Sequence, residues 1–320
     1  MSALTRADRL LDRRNHANGG CILAFHQIEV GQLERLVAHH VGRYEIVSLD
    51  AMLARHRAGR STAGLMALTF DDGYRTTVLD AVSLAHRRGW PMTFYLPTDA
   101  IDSDTVYWFV ELRVLLENLH LATPLQVDVL GAPFTVGCTI EARRAAVDAL
   151  EAHLFYRSPA ELATGIGQLR AAVAAADRSE AAPITDVDDG PYQATDAATI
   201  GWSDVERLAT DDLITFGAHT ASHPFLSTLA DAAVEHELVA SQRLIEEHWN
   251  RPVRHFCYPY GDARSIGDVA PAVAARHFDS AVTMTRGRCA VSADPFLLPR
   301  IPIYEQDAPS VSGLKVSMAA

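Results

Sequence analysis

Along this chain, short runs of apolar, β-branched and aromatic residues alternate with segments whose apolar residues recur at helical spacing. The β-rich runs are "GCILAFH" (20–26), "EIVSL" (45–49), "LMALTF" (65–70), "MTFYL" (92–96), "LITFGAH" (213–219), "RHFCYPY" (254–260), "SAVTM" (280–284) and "LLPRIPI" (297–303). Residues 75–88 and 229–249 carry the helical pattern, and "SDVE" at 203–206 has the form of a capping box. Such alternation predicts parallel strands joined by helices. About eight strands predict a closed or nearly closed β/α barrel. A doubly wound open sheet fits the same strands, but no GxGxxG or GxxxxGK[ST] follows the first one, which removes the usual reason to prefer it.

The alternation fails between about 101 and 200. Ala-rich helical stretches, "EARRAAVDALEAHLF" and "AELATGIGQLRAAVAAA", are followed there by the polar "DRSEAAPITDVDDGPYQATDAAT". The region reads as a mostly helical insertion whose last part has the composition of a mobile loop or lid. Beyond about 305 a loose tail is expected.

Composition narrows the function. The chain has 320 residues, 48% of them hydrophobic, enough for a large core. A net charge of -12 argues against nucleic acid, which needs clustered Lys and Arg. No apolar run approaches the roughly 18 residues of a membrane span, and the N-terminus lacks the apolar segment of a signal peptide, so as written the chain reads as cytoplasmic. Cys21, Cys138, Cys257 and Cys289 form no CxxC pair and read as buried small apolar residues.

In a parallel β/α barrel, functional groups sit at the C-terminal ends of the strands. The first strand ends at His26, the third at Asp71 and Asp72, the fifth runs into His219 and His223, and the sixth into "YPYGD". Alone, "DDG" is usually a turn, HxxxH usually a surface or core pair, and "YPYG" a tight aromatic turn. Their joint occurrence at strand ends changes that reading. Adjacent carboxylates repel unless a cation or proton offsets them, and the two histidines are the nearest plausible cation holders. One Asp would hold the metal while its neighbour stays off it and accepts a proton from water. Two imidazoles and one carboxylate, with positions left for water, describe a catalytic zinc-type site. Pro224 disfavours a helix at His223, so this HxxxH reads as a loop, and Gly73 allows a sharp turn after the strand.

The set "TFDDG" (69–73), "HTASHP" (219–224) and "YPYG" (258–261), supported by "ILAFHQI" and "LPRIPI", resembles the polysaccharide deacetylase family with its NodB-like homology domain. The variant pattern is most similar to the branch of poly-N-acetylglucosamine and exopolysaccharide-cluster deacetylases. The resemblance covers about 20–100 and 200–304. It implies one domain over 1–320, a deformed (β/α) barrel of about seven to eight parallel strands, interrupted by the insertion. It also implies a hydrolase that removes N-acetyl groups from amino sugars of a glycan or glycan intermediate. Asp71 is then the general base, Asp72, His219 and His223 hold one divalent metal, usually Zn2+, and an oxyanion donor falls near Tyr260 and Pro259. His26 becomes a candidate catalytic residue. Tyr74 and Tyr260 adjoin motifs and could stack on a sugar, whereas Trp108 and Trp202 read as packing residues.

Two departures stand out. Where the family commonly carries an arginine before the third-motif proline, this chain has "FCYPYG"; where it carries a histidine acid, this chain has "LLPRIPI", leaving Arg300 as a substrate-side candidate. Two other readings therefore stay open. One is a glycan-binding scaffold on the same fold with impaired turnover, and the other is a 2-His-1-carboxylate iron enzyme.

Overall fold

The structure, a computed structural model, describes residues 19–103, 106–176 and 198–319. In chain order its first elements are β1 (Cys21–Phe25), α1 (Val30–Ala38), β2 (Glu45–Ile46), α2 (Leu49–Arg57), β3 (Leu65–Phe70), α3 (Arg75–Arg88) and β4 (Met92–Leu96). The region between Ser103 and Thr199 forms a separate compact unit. It contains α4 (Trp108–Glu117), β5 (Leu125–Val129), β6 (Ala132–Val136), α5 (Ile140–Leu154) and α6 (Pro159–Ala176). The first unit then resumes with α7 (Trp202–Arg207), β7 (Ile214–Ala218), α8 (Asp231–Trp249), β8 (His255–Cys257), α9 (Ala263–Ile266) and α10 (Ala270–His277). It ends with β9 (Ser280–Arg286), β10 (Leu298–Pro302) and α11 (Pro309–Met318).

All eight expected strands form, every pairing among them is parallel, and β1–β3 contacts close the sheet into a seven-stranded barrel. β2 is the extra strand, pairing only with Leu65 and Met66 at the start of β3. Two apolar layers follow from the period-two alternation of strand side chains. On β3, Met66, Leu68 and Phe70 join the cluster under the helices, whereas Leu65 and Ala67 join a second cluster inside the barrel. Phe25, Phe70 and Phe94 stack in one row of the outer layer, with ring centroids 5.1 and 4.9 Å apart. The inner layer includes Ile22, Tyr95, Cys257, Val282 and Leu298. Gly217 belongs to this interior because a Cβ there would lie 2.5 Å from the Tyr95 ring.

Several expectations need correction. The insertion is mostly helical, as expected, but it also holds an antiparallel hairpin of β5 and β6 that was not expected, turning through Leu130 and Gly131, both at positive φ. Asp128 accepts from the Gly131 N–H at 2.9 Å and fixes that turn. Instead of a loose tail, the stretch beyond 305 includes α11, held where the buried Arg288 donates to the carbonyls of Val316 and Ala319. Helix α7 begins two residues earlier than the capping-box reading, with Gly201 rather than Ser203 as N-cap and Asp204, not Glu206, accepting from its N–H at 3.5 Å. Cys21, Cys257 and Cys289 are buried as expected, but Cys138 is exposed. The segment read as a lid lies, apart from its last two residues, outside the described residues. Among the described residues no helix is long and apolar enough to cross a membrane.

Candidate active site

The alternation that builds the inner layer also aims the first carboxylate. After Leu65, Ala67 and Thr69, the next inward position on β3 is Asp71, which lies just past the strand end and is 3% exposed. Asp72 would point the opposite way in an extended chain. Instead its backbone turns left-handed (φ 67), as does Gly73 (φ 64), and Asp72 is buried beside His219 and His223. Among the described residues, eight non-glycine positions have positive φ, and four of them, Asp72, Thr220, His223 and Tyr260, fall in the three motifs. Such backbone costs on the order of 1–3 kcal/mol per residue and concentrates at functional sites.

His219 and His223 lie in a loop after β7, as Pro224 implied. Their Nε2 atoms approach the same oxygen, Asp72 Oδ1, at 3.5 and 3.4 Å. Those separations exceed a good N–H···O bond. They match the edge of a tetrahedron of ligands about 2.1 Å from a shared ion, roughly 3.4 Å. His219 Nδ1 lies 2.7 Å from the Cys257 carbonyl; donating there, it leaves the Nε2 lone pair facing Asp72. Despite burial, the neighbouring imidazoles of His219 and His223 keep Asp72 well below the usual carboxylate range. Burial holds His223 below its ordinary value, whereas despite the same burial the Cys257 and Asp72 neighbours hold His219 well above it, so an ion held here would displace a proton from His219. The three groups could therefore hold one divalent ion.

Asp71 has a different partner. Arg300, on β10 and fully buried, donates from Nη1 to Asp71 Oδ1 at 2.7 Å and from Nη2 to Oδ2 at 2.6 Å. Its remaining N–H groups go to the Thr283 carbonyl, Thr69 Oγ1 and Cys257 Sγ. All five donors of the guanidinium are thus engaged. Burial pushes the Asp71 carboxyl up, but the Arg300 charge and hydrogen bonds outweigh it and hold the group below its ordinary value. Asp71, His219 and Cys257 also lie close enough to share an ion. The guanidinium already sits on two of those three groups, so its fixed positive charge favours the Asp72 set for a cation.

A profile of the family described as "Polysaccharide deacetylase" matches residues 179–275, a stretch holding both histidines and YPYG. Over that stretch the chain is similar to the polysaccharide deacetylase family. No curated protein matches it in sequence. Its fold is similar to that of the deacetylase PplD from Streptococcus pyogenes in complex with acetate, at TM-score 0.55 and 13% identity, covering 91% of this chain and 95% of that one. It is also similar to IcaB from Ammonifex degensii, at TM-score 0.54 and 14% identity over 93% and 97% of the two chains. A third likeness is to the deacetylase domain of BpsB from Bordetella bronchiseptica, at TM-score 0.54 and 13% identity over 90% and 97%.

The other residues singled out in the sequence are placed as follows. His26 Nε2 lies 3.7 Å from Asp71 Oδ2, and its side chain is 37% exposed, so it reaches the carboxylate from the rim. Arg300 does not face a substrate; it is fully buried and grips Asp71. Tyr260 stacks on Phe225 with centroids 3.9 Å apart and meets His223 edge-on at 4.9 Å, so its ring braces a histidine. Tyr74 is buried, pairs with Thr199 in an isolated bridge and offers no ring face to a ligand. Pro259 is buried within a turn, where its carbonyl accepts from the Gly261 N–H. Trp202 stacks on His248 and Trp108 meets Phe109 edge-on, both as packing residues.

The sequence reading missed Arg300 as the partner of Asp71, although a clue was present. In "LPRIP" the arginine occupies an inward register position of an otherwise apolar strand, where a charge needs a buried partner.

Proposed function

We propose that this chain is a metal-dependent N-deacetylase acting on N-acetylated amino sugars of a glycan or glycan intermediate, in the manner of the exopolysaccharide deacetylases. The observation that carries this reading is the division of labour between adjacent carboxylates, Asp71 on Arg300 and Asp72 on two imidazoles. Asp72, His219 and His223 would hold the ion, which when bound supplies Lewis-acid polarisation of an acyl oxygen and acidifies water. Asp71 keeps a spare lone pair on each oxygen, so its carboxylate accepts the proton of the attacking water while Arg300 fixes its plane. His26, beside Oδ2 and open to solvent, orients the substrate or hands a proton to the leaving amine. The backbone N–H at Tyr260, in left-handed conformation, is assigned to the acyl oxygen.

Arg300 also bears on the scaffold alternative. Paired with Asp71, Arg300 can take the part of the arginine absent before the third-motif proline, which weakens one of the two motives for an impaired enzyme. The iron-enzyme reading leaves the Arg300–Asp71 pair without a task. The deciding experiment is acetate release from N-acetylglucosamine monomers, oligomers and nucleotide sugars with Zn2+ added. Release by the wild-type chain but not by Asp71→Asn supports the proposal; silence across all substrates refutes it.

A further inference from the structure

We propose that Glu237, on α8 and outside every motif, is a positioning residue that sets the metal affinity of the Asp72–His219–His223 centre. The inference rests on the proposed metal-dependent function. Between its two histidines the loop passes through two left-handed residues, Thr220 (φ 67) and His223 (φ 58). A loop in such conformations relaxes unless its surroundings hold it. One side is held by carbonyls: Thr220 accepts from the Thr98 N–H at 3.3 Å and Ala221 from the Asp99 N–H at 2.9 Å. The amide side is held by Glu237, whose Oε2 accepts from the N–H groups of Ala221 at 2.9 Å and Ser222 at 2.8 Å. Its Oε1 accepts from Ser222 Oγ at 2.7 Å.

Successive backbone N–H groups of this kind form a concave anion seat, and here the anion is a side chain from a 19-residue helix packed on the barrel. The clamp ties the loop to a rigid element. His219 is further fixed by the Cys257 carbonyl, while Thr220 Oγ1 accepts from the His223 N–H at 3.0 Å and so couples the clamped tip to the second histidine. Without Glu237 water could satisfy the freed amides beside exposed Ser222, but it would not hold Thr220 and His223 left-handed. The two imidazoles would then cease to converge on Asp72 Oδ1 before an ion arrives.

The test measures Zn2+ affinity by competition with a chromophoric chelator, and the melting temperature of each protein stripped and Zn2+-loaded. Glu237→Ala should bind Zn2+ about 10- to 100-fold more weakly, the usual cost of losing a group that orients ligands. The rise in melting temperature on loading should shrink in parallel. Glu237→Gln should stay within about 3-fold of wild type, because its amide oxygen can take both N–H groups and its NH2 can donate to Ser222 Oγ. A merely structural role would lower both melting temperatures equally and leave the affinity unchanged, and that result overturns the proposal. So does a Glu237→Gln variant as weak as Glu237→Ala, which would assign the effect to charge. If Glu237→Ala does not fold, Glu237→Asp, one methylene short, carries the same comparison; failure of both to fold makes Glu237 a folding residue and also overturns it. A wild-type chain that binds no Zn2+ refutes the proposed function itself, a different outcome from wild-type-like binding by Glu237→Ala.

Discussion

Arg300 grips both oxygens of Asp71, 229 positions earlier in the chain, through two bonds of 2.7 and 2.6 Å inside the barrel. The pair makes the site's two carboxylates unequal, since one is neutralised by a fixed guanidinium and the other faces two imidazoles. It also fixes the carboxylate plane.

Breaking this pair should be costly. Arg300→Met would leave Asp71 charged and buried, a loss of about 3–5 kcal/mol for removing one member of such a pair. Thermal denaturation should show a markedly lower melting temperature, and acetate release should fall with it. Arg300→Lys should recover little, because one ammonium cannot span both oxygens. A variant Arg300→Met that melts with wild type would contradict the assignment.

The ligand set predicts metal content. Purified protein should hold about one divalent ion per chain, most readily Zn2+. Replacing His219 or His223 by Ala should lower that occupancy, as read by elemental analysis. Chelation should abolish activity yet leave the circular dichroism largely intact, since a barrel with two apolar layers does not need an ion to fold.

The two carboxylates should separate on substitution. Asp71→Asn should keep its metal and lose about 100- to 10,000-fold in turnover, the typical contribution of a general base. Asp72→Asn should lose metal and turnover together. An Asp71→Asn enzyme within a few fold of wild type would exclude Asp71 as the base.

How much of this was legible without coordinates follows from the range of each interaction. The strands were, because each is a local apolar run, and the strand-end rule then brought His26, Asp71, Asp72, His219 and His223 to one rim. The hairpin of β5 and β6 was not: its "LQVDV" alternates, but the first of its two positive-φ turn positions is Leu130, where Asn, Asp or Gly is usual, and only Gly131 fits the expected turn chemistry. Helix α11 carries Gly313 and three serines and has little intrinsic preference to be a helix. It is held by contacts from afar, such as Arg288 to Val316 and His40 to Ser312. The Arg300–Asp71 and Glu237–Ser222 pairs are likewise tertiary, visible only once the sheet is closed.

His26 can be tested apart from the metal. It lies beside Asp71 rather than in the Asp72–His219–His223 set, so His26→Ala should leave metal content unchanged while turnover falls by about 100-fold or more if it donates a proton. A smaller fall in kcat with a raised KM would mark an orienting role instead. An unchanged rate would remove His26 from the reaction.

The last prediction concerns acid stability and lies away from the site. His40 is fully buried between α1 and α11, with Nε2 2.8 Å from Ser312 Oγ. Burial, with help from the neighbouring His39 and Arg43 charges, depresses it from 6.5 to about 3. A histidine depressed in the folded state is neutral there and protonates only on unfolding, so its contribution is fully present above pH 6.5 and is lost as pH falls towards 3. By pH 5 the loss should reach about 2 kcal/mol, at 1.36 kcal/mol per pH unit. His40→Gln can keep a hydrogen bond to Ser312 without titrating. Its melting temperature should therefore fall less than that of wild type between pH 7 and pH 5, and parallel melting curves across that range would show that His40 is not the sensitive group.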